Sequence, residues 1–174
     1  MKCPACGHKN LPGSDECEAC QGDLTFLDGT TPKSRIEKIL MSDKLSKVGH
    51  RKAVIVSRIT SVLEAIHKMN EQKIGNALVM NGEKLEGILT ERDILLKILG
   101  KEGKDPDLSK ITVEKVMTHN PTILSEEDTL AVALNKMSVG GYRHIPILKN
   151  GQPVGVISVR DVLKYLAKLF PKAD

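Results

Sequence analysis

The residues most able to do chemistry in this 174-residue chain are its four cysteines, which all lie within the first twenty positions. They form two Cys-x-x-Cys pairs separated by ten residues, namely Cys3, Cys6, Cys17 and Cys20. Two such pairs can present four thiolates to one ion, which is how a tetrahedral Cys₄ zinc site is assembled. Because that shell leaves no position open for water or substrate, the pattern predicts a structural zinc ribbon over residues 1–23 and not a catalytic metal.

Other interpretations of the cysteines stay open at this stage. Iron can replace zinc, since thiolate tetrahedra accept both metals. Disulfides are disfavoured by a reducing cytosol, and a thioredoxin-like role is disfavoured because neither pair has a βαβ context. His8 lies close enough to compete as a ligand, but its interpretation as a solvated loop residue is favoured because four cysteines already fill the shell. Gly7 and Gly22 are expected in the tight turns that aim backbone N–H groups at sulfur.

A segment of about 22 residues cannot bury enough surface to fold by itself. A bound zinc ion supplies an apparent ~10 to 16 kcal/mol in small finger-like sites. Residues 1–23 carry two lysines against four carboxylates, so the ribbon is a poor clamp for nucleic acid. We expect it to dock on an unidentified protein partner or on the rest of the molecule.

A second chemical signal is a hydroxyl residue followed three positions later by an aspartate. It occurs as Thr90 with Asp93 and again as Ser158 with Asp161. A carboxylate can accept hydrogen bonds from the two vicinal hydroxyls of a ribose, which makes it a natural reader of nucleosides. The same residues are good helix caps, worth ~1 kcal/mol without any ligand, and for a single pair the cap is the better interpretation.

These two pairs belong to an internal repeat with a constant offset of 68 residues. The offset matches Val48 with Val116, Ala65 with Ala133, Met69 with Met137, Gly87 with Gly155, Arg92 with Arg160, Asp93 with Asp161 and Leu95 with Leu163. The chain is therefore duplicated, and each copy must position one of the hydroxyl–aspartate pairs.

The pattern of apolar residues in each copy predicts the element order β-α-β-β-α. Helical spacing at i, i+3, i+4 and i+7 gives each first helix one buried stripe: Val62, Ala65, Ile66 and Met69, then Leu130, Ala133, Leu134 and Met137. Apolar runs predict strands at 53–56, 77–80 and 85–89 and at 122–124, 145–148 and 154–157, with hairpin turns at Asn81-Gly82 and Asn150-Gly151. Closing helices are predicted at about 91–99 and 159–170.

The duplicated segments Gly-Ile-Leu-Thr-Glu-Arg-Asp at 87–93 and Gly-Val-Ile-Ser-Val-Arg-Asp at 155–161 resemble a pair of CBS domains (cystathionine-β-synthase repeats), together called a Bateman module. Val116-Met117, Asn120-Pro121 and Tyr-Arg-His-Ile-Pro-Ile at 142–147 resemble the same family. The likeness covers roughly residues 36–170, and with the ribbon it resembles zinc-ribbon CBS proteins of prokaryotes.

The resemblance implies an α+β fold of two β-α-β-β-α CBS repeats packed as a pseudo-twofold pair, plus the small N-terminal zinc ribbon. The domains expected are the ribbon at 1–23, a linker at 24–34, repeat 1 at 35–104 and repeat 2 at 105–174.

The resemblance also implies a regulatory module that binds an adenine nucleotide (AMP, ADP or ATP) in the cleft between the repeats. The residues expected to bind it are Asn76, Thr90, Asp93, Arg143, His144, Ser158 and Asp161. Arg143 and His144 would clamp phosphates. The first repeat has Gly75-Asn76 at these positions, so the two sites should differ in their preference for phosphate.

Composition disfavours several other classes of function. The net charge of +4 is spread along the chain, and two Phe, two Tyr and no Trp are a poor inventory for stacking on bases. A nucleic-acid-binding or transcription-associated adaptor acting through the ribbon is the alternative function. No constellation of nucleophile and base indicates an enzyme. No apolar run approaches the ~20 residues of a membrane span, and Met1-Lys2 leads directly to Cys3 without a signal peptide's apolar region, so a cytoplasmic protein is expected. The resemblance implies a homodimer.

Overall fold

The computed structural model describes residues 1–11, 14–25, 34–99 and 106–170. Residues 26–33 of the predicted linker and the predicted boundary at 104/105 lie outside this part of the chain. The chain forms two compact units. One comprises Met1–Gly49, Leu124–Ile145 and Ile157–Asp174, and the other comprises His50–Ile123 and Pro146–Val156.

Two short helices, α1 and α2, follow the ribbon. They were not predicted, although α1 begins with a recognisable capping box: the Ser34 hydroxyl accepts the Glu37 N–H at 3.1 Å and the Glu37 carboxylate accepts the Ser34 N–H at 3.2 Å. Their bounds are Arg35–Ser42 and Leu45–Val48.

The first repeat has the predicted order of elements. They are β1 (Val54–Ser57), α3 (Val62–Gln72), β2 (Asn76–Asn81), β3 (Lys84–Thr90) and α4 (Glu91–Ile94). A π-helical turn (Leu95–Leu99), a 3₁₀ turn (Val113–Lys115) and the short β4 (Thr118–His119) complete this part of the chain. The sheet order is β1-β2-β3-β4, with β1 parallel to β2 and the other pairs antiparallel.

Helix α3 shows why the local sequence folds as predicted. The Ser61 hydroxyl accepts the Glu64 N–H at 3.2 Å and caps its start, and Lys73 ends it in the left-handed conformation with φ 54°. Its stripe of Val62, Ala65 and Met69 is buried, as the 3.6-residue periodicity predicts. The stripe packs in a core with residues of β1, β2, β3 and the 3₁₀ turn.

The second repeat repeats this arrangement. Its elements are β5 (Leu124–Ser125), α5 (Leu130–Gly140), β6 (His144–Lys149), β7 (Gln152–Ser158) and α6 (Val159–Leu169), with sheet order β5-β6-β7. The stripe of α5 is buried at Leu130, Ala133 and Met137. None of the helices in the described ranges is long and apolar enough to cross a bilayer.

Two predicted details differ from the structure. Asn81 is the last residue of β2 and pairs with Lys84, so the first hairpin turns at Gly82 and the residue after it, one position later than predicted. The second hairpin turns at Asn150-Gly151 as predicted, with φ of 50° and 80°. The first closing helix is α-helical only to Ile94 and continues as the π-helical turn, whereas α6 is one α-helix.

Candidate functional sites

The four cysteine sulfurs form one cluster and all lie within 4.8 Å of one another. Cys3 Sγ is 3.7 Å from Cys20 Sγ, and Cys6 Sγ is 3.6 Å from Cys17 Sγ. A ZnS₄ tetrahedron with bonds of about 2.3 Å has edges of about 3.8 Å, so these separations fit a metal of that size. Among the described residues, no further side chain joins this group of potential metal ligands.

The ribbon is itself duplicated, with an offset of 14 residues. The N–H of Gly7 donates to the Cys3 carbonyl at 2.8 Å, and the N–H of Gln21 donates to the Cys17 carbonyl at 2.8 Å. Gly7 and Gln21 both have positive φ, at 77° and 55°. The expected turn is present at Gly7, but its N–H donates to a carbonyl and not to sulfur. In the second Cys-x-x-Cys turn Gln21 has the positive φ, while the N–H of Gly22 is a donor to the Cys20 sulfur, as expected. A Cβ on Gly22 would lie 3.4 Å from Cys20 Sγ, an ordinary van der Waals contact.

Backbone and amide donors surround the Cys17 sulfur. Burial raises the pKa of the Cys17 thiol, but hydrogen bonds from the N–H groups of Cys20 and Ala19 and from the Asn10 amide outweigh burial and lower the pKa to about 6. Thiolate is the form that binds metal. The lowered pKa therefore favours the thiolate form of Cys17 even without a bound metal.

The other thiols cannot all ionise beside Cys17. The N–H of Gly22 lowers the pKa of Cys20, yet the Cys6 thiol and burial act in the opposite sense and raise it to about 12. The pKa of Cys6 is also raised, because burial and the neighbouring Cys17 and Cys3 sulfurs outweigh the bond from the His8 N–H. Four thiolates at this separation require a cation, so metal binding should release protons and depend on pH.

Asn10 is a buried ribbon residue that the spacing of the cysteines does not identify. It is 7% exposed, and its side chain donates to Cys17 Sγ at 3.5 Å and to the His8 carbonyl at 3.2 Å. Its Oδ1 accepts the Glu18 N–H at 3.0 Å. The 14-residue offset matches it with the fully buried Leu24, so its place in the short repeat was the available signal. His8 is exposed, with Nε2 4.0 Å from a Glu18 carboxylate oxygen.

Thr90 and Asp93, at the junction of β3 and α4, form a reciprocal capping box. The Thr90 hydroxyl and N–H donate to Asp93 Oδ2 at 2.5 and 3.0 Å, and the Asp93 N–H donates back to the hydroxyl at 3.3 Å. The interpretation of this pair as a helix cap is therefore correct as local structure. It leaves the second carboxylate oxygen to other partners.

The second oxygen of Asp93 holds Lys97 and Thr118. Lys97 Nζ lies 2.7 Å from Oδ1, and the Thr118 hydroxyl donates to the same oxygen at 3.1 Å. Lys97 Nζ also donates to the carbonyls of Val116 at 2.7 Å and Met117 at 3.2 Å. Lys97 was not among the predicted site residues, and nothing in the repeat pattern singled it out.

Asp93 is ionised by these contacts. Burial raises its pKa, but the bonds from Lys97 and Thr90 outweigh burial, and its pKa is held below the usual value. The side chain is only 12% exposed. A buried, ionised carboxylate with a cation beside it is able to bind hydroxyl donors strongly.

Asn76 lies opposite Thr90 on the neighbouring strand, as the first residue of β2. It is 5% exposed, and its Oδ1 has no hydrogen-bond partner among the described residues. A buried acceptor without a donor costs free energy unless a ligand or a water satisfies it. The structure thus brings three of the predicted residues, Asn76, Thr90 and Asp93, to one place, called here the Asp93 site.

The matching place in the second repeat, called here the Asp161 site, lies at the junction of β7 and α6. Ser158 is 8% exposed, and its N–H and hydroxyl donate to Asp161 Oδ2 at 2.9 and 2.6 Å. His144 is the first residue of β6, the strand adjacent to β7, and is half-buried. Arg143 precedes it in an exposed bend.

The residue that matches Lys97 in the second repeat is Tyr165. Its hydroxyl donates to Asp43 Oδ2 at 2.7 Å, and Lys47 Nζ lies 2.6 Å from the other oxygen of Asp43. The Asp43 bond raises the pKa of Tyr165. The two sites therefore share their capping pair but differ four positions after the aspartate. Lys97 contacts Asp93, whereas Tyr165 donates to Asp43.

The family model of the CBS domain matches this chain twice, at residues 45–100 and 113–168. An uncharacterized 17.7 kDa protein of Acidianus ambivalens is 32% identical over 72% of this chain and 74% of its own length. The CBS domain-containing protein CBSCBSPB5 of Arabidopsis thaliana is 38% identical over 66% of this chain, which spans only 20% of that protein.

Solved structures show the same fold. The CBS-domain structure of NE2398 is 31% identical, with a TM-score of 0.62 over 70% of this chain and 93% of its own. The CBS domain pair of protein MJ0100, in complex with 5′-methylthioadenosine and S-adenosyl-L-methionine, is 21% identical, with a TM-score of 0.63 over 73% of this chain and 98% of its own.

Proposed function

Because this chain belongs to the CBS-domain family and carries a tandem pair of the repeats, we propose that it is a non-enzymatic regulatory module that binds an adenine nucleotide. The ribose hydroxyls bind the carboxylates of Asp93 and Asp161, beside Thr90 and Ser158. The observation that carries this proposal is the Oδ1 atom of Asn76, a buried acceptor that lies across from Thr90 and finds no donor in the described part of the chain. A helix cap alone gives no reason to bury an unsatisfied amide oxygen there.

Arg143 and His144 are the residues proposed to recognise phosphate at the Asp161 site. Arg143 offers a guanidinium that can contact phosphate oxygens in a bidentate manner, and His144 adds a ring N–H donor. The matching positions of the first repeat are Gly75 and Asn76, which carry no charge. The two sites are therefore expected to differ in their relative affinities for AMP, ADP and ATP.

The ligands of a solved neighbour support adenosine as the part recognised. The MJ0100 pair was solved with 5′-methylthioadenosine and S-adenosyl-L-methionine, which share an adenosine group and differ in charge beyond it. A site that reads adenosine through a carboxylate and a hydroxyl is compatible with either kind of substituent.

Isothermal titration with AMP, ADP, ATP and S-adenosylmethionine tests the proposal. The full chain should bind at least one of the four, and a variant with Asp93→Ala and Asp161→Ala should lose that binding. Asp107→Ala is the matched control, because Asp107 makes a similar local set of bonds, to Ser109 and Lys110, outside either site.

Thermal unfolding of each variant shows whether lost binding reflects lost folding. If the folded wild-type chain binds none of the four ligands, or if the double variant binds as well as the control, Asp93 and Asp161 are only helix caps and the proposal is wrong.

For the ribbon, we propose a structural zinc ion held by Cys3, Cys6, Cys17 and Cys20, with iron as the alternative metal. A closed thiolate shell supplies folding energy and no reactive position, so the ribbon serves to dock a protein partner. Support comes from the sulfur separations and from the donors around Cys17. Metal analysis of the purified chain should find one zinc per chain, and a red iron–thiolate absorption would instead assign iron.

The homodimer implied by the family resemblance also remains a proposal. Its support is a pair of matched apolar residues, Leu95 and Leu163, which are 56% and 60% exposed. Two large apolar side chains at equivalent places of a duplicated fold provide apolar surface for a second copy. Leu95→Glu with Leu163→Glu should convert a dimer into a monomer in sedimentation, and an unchanged mass would exclude this surface.

A further inference from the structure

Lys97 uses its donors entirely within the protein. Its ammonium contacts three oxygens: Asp93 Oδ1 at 2.7 Å and the carbonyls of Val116 at 2.7 Å and Met117 at 3.2 Å. An ammonium has three N–H donors, so these contacts can employ all of them. The side chain remains 42% exposed, so solvent or a ligand can reach it.

The Asp93 carboxylate is equally occupied. Oδ2 accepts two bonds from Thr90, and Oδ1 holds Lys97 and the Thr118 hydroxyl. A carboxylate offers about four acceptor positions, and here all four are used. A ribose diol therefore cannot bind Asp93 unless one of the existing donors leaves.

The second repeat has a tyrosine at the position that matches Lys97. The hydroxyl of this residue, Tyr165, donates to Asp43 at 2.7 Å. The backbone differs as well, since Lys97 lies in the π-helical turn Leu95–Leu99 and Tyr165 lies in the regular helix α6. π-helical turns are frequent at functional sites.

Resting on the proposed binding of adenosine ligands, we propose that Lys97 is a specificity-determining residue of the Asp93 site that favours phosphorylated nucleosides over uncharged ones. An uncharged nucleoside that displaces the ammonium from Asp93 offers it no anion in return. A nucleotide brings a phosphate that pairs with the displaced ammonium. Uncharged ligands therefore bind only the fraction of molecules in which Lys97 has released the carboxylate.

The test compares 5′-methylthioadenosine with AMP by isothermal titration. Asp161→Asn serves as the background, so that the remaining binding reports the Asp93 site. In this background, Lys97→Met should tighten binding of 5′-methylthioadenosine by about tenfold, the factor by which a tenth-populated open state weakens it. The same change should leave AMP binding equal or weaker, because the phosphate loses its cation.

Lys97→Tyr, which introduces the residue of the second repeat, gives a second variant in case the methionine variant folds poorly. Lys110→Met is the control, since Lys110 pairs with Asp107 away from the site. General loosening of the structure would shift both ligands in the same direction, so the ratio of the two affinities is the decisive readout.

An unchanged ratio in folded Lys97 variants overturns the role of Lys97 while leaving adenosine binding intact. Absence of binding of either ligand to the wild-type chain and to both Lys97 variants overturns the proposed function itself. A nucleoside that binds only after Lys97 is replaced supports both.

Discussion

The ribbon and the CBS repeats are both duplicated, but different features were copied. In the ribbon the copied unit is 14 residues long and preserves a backbone arrangement: two turns, each with a positive φ after its Cys-x-x-Cys pair. In the larger repeat the unit is 68 residues long and preserves an apolar stripe and a helix cap. The short unit directs donors and sulfurs at one point, whereas the long unit buries apolar side chains.

The difference shows in what each region buries. The apolar cluster of the ribbon is built around Cys3, Cys17 and Leu24, two of which are proposed metal ligands. The first CBS repeat instead has a continuous core of aliphatic residues from β1, α3, β2 and β3. Loss of a single ligand should therefore abolish the order of the ribbon, while the CBS repeats should tolerate it.

The largest expected effect is that of metal removal on residues 1–25. Cys17→Ser, or a chelator added to the wild-type chain, removes a binding free energy of about 10–16 kcal/mol that small zinc sites depend on for folding. Amide signals of the ribbon should collapse to unfolded positions in two-dimensional NMR spectra, while those of the CBS repeats stay in place.

His8→Ala is the control, because His8 is exposed and should leave the metal bound. If Cys17→Ser retained stoichiometric metal and a folded ribbon, the contrast between a metal-stabilised and a core-stabilised region would fail.

A smaller effect should separate the two CBS repeats at their matched strand glycines. An alanine Cβ at position 155 would lie 2.4 Å from His50 Nδ1 and 2.5 Å from the backbone carbonyl of Arg51. At position 87 the nearest atom is the flexible Met117 Sδ at 2.5 Å, and the Thr118 carbonyl is 3.0 Å away. Because backbone yields less than a methionine side chain, both changes should lower the free energy of unfolding, by about 1–3 kcal/mol. The loss for Gly155→Ala should lie in the upper part of that range and the loss for Gly87→Ala in the lower part.

Chemical denaturation of both glycine variants measures this difference directly. Equal or reversed losses would mean that the closer backbone contact at position 155 has no energetic consequence.

Much of the fold follows from periodicity and offset alone. The buried stripes of α3 and α5, the order of elements along each copy and the caps at Thr90 and Ser158 are local features, and local patterns identify them. Spacing also identified all four sulfurs of the metal cluster, since two adjacent Cys-x-x-Cys turns leave few other arrangements.

Spacing could not reveal where the two copies diverge. The offset is 68 in the strands and helices, yet Ile88 pairs with Thr118 while Val156 pairs with Arg51, an offset of 67 for the partner residues. A residue with positive φ lies near each pairing residue, but on opposite sides of it. Gly49, with φ 76°, precedes Arg51, whereas Asn120, with φ 44°, follows Thr118. This one-residue shift in strand pairing is set by tertiary contacts. It alters none of the sequence motifs, so the sequence does not reveal it.

The residues missed at the sites are those whose roles depend on distant partners. Lys97 becomes part of the Asp93 site through carbonyls that lie 19 and 20 positions away, and the π-helical turn has no sequence signature of its own. Asn10 acts through Cys17 Sγ, which belongs to the other Cys-x-x-Cys pair. In contrast, the capping box of Ser34 and Glu37 at the start of α1 is a local pattern that the sequence alone can identify.

The smallest expected effect concerns the pH dependence that Asp93 contributes to stability. Its pKa is lower in the folded chain than the value of about 3.9 in an unfolded one. Its contribution is therefore fully present at neutral pH, begins to fade near the unfolded pKa and is lost as pH falls through the folded pKa. Asp93→Asn should cost about 1 kcal/mol at pH 7, typical of a weakened cap, and progressively less below about pH 4.

Urea unfolding of the wild type and of Asp93→Asn between pH 3 and pH 7 measures this difference. Lys97→Met sharpens it: without the ammonium on Oδ1, the pKa of Asp93 rises toward its ordinary value, so the acid-dependent part should shrink while the Thr90 bonds persist. A stability difference between wild type and Asp93→Asn that stayed constant down to pH 3 would show that Asp93 acts as a cap whose charge is immaterial. The Lys97 contact would then have no electrostatic role in the folded repeat.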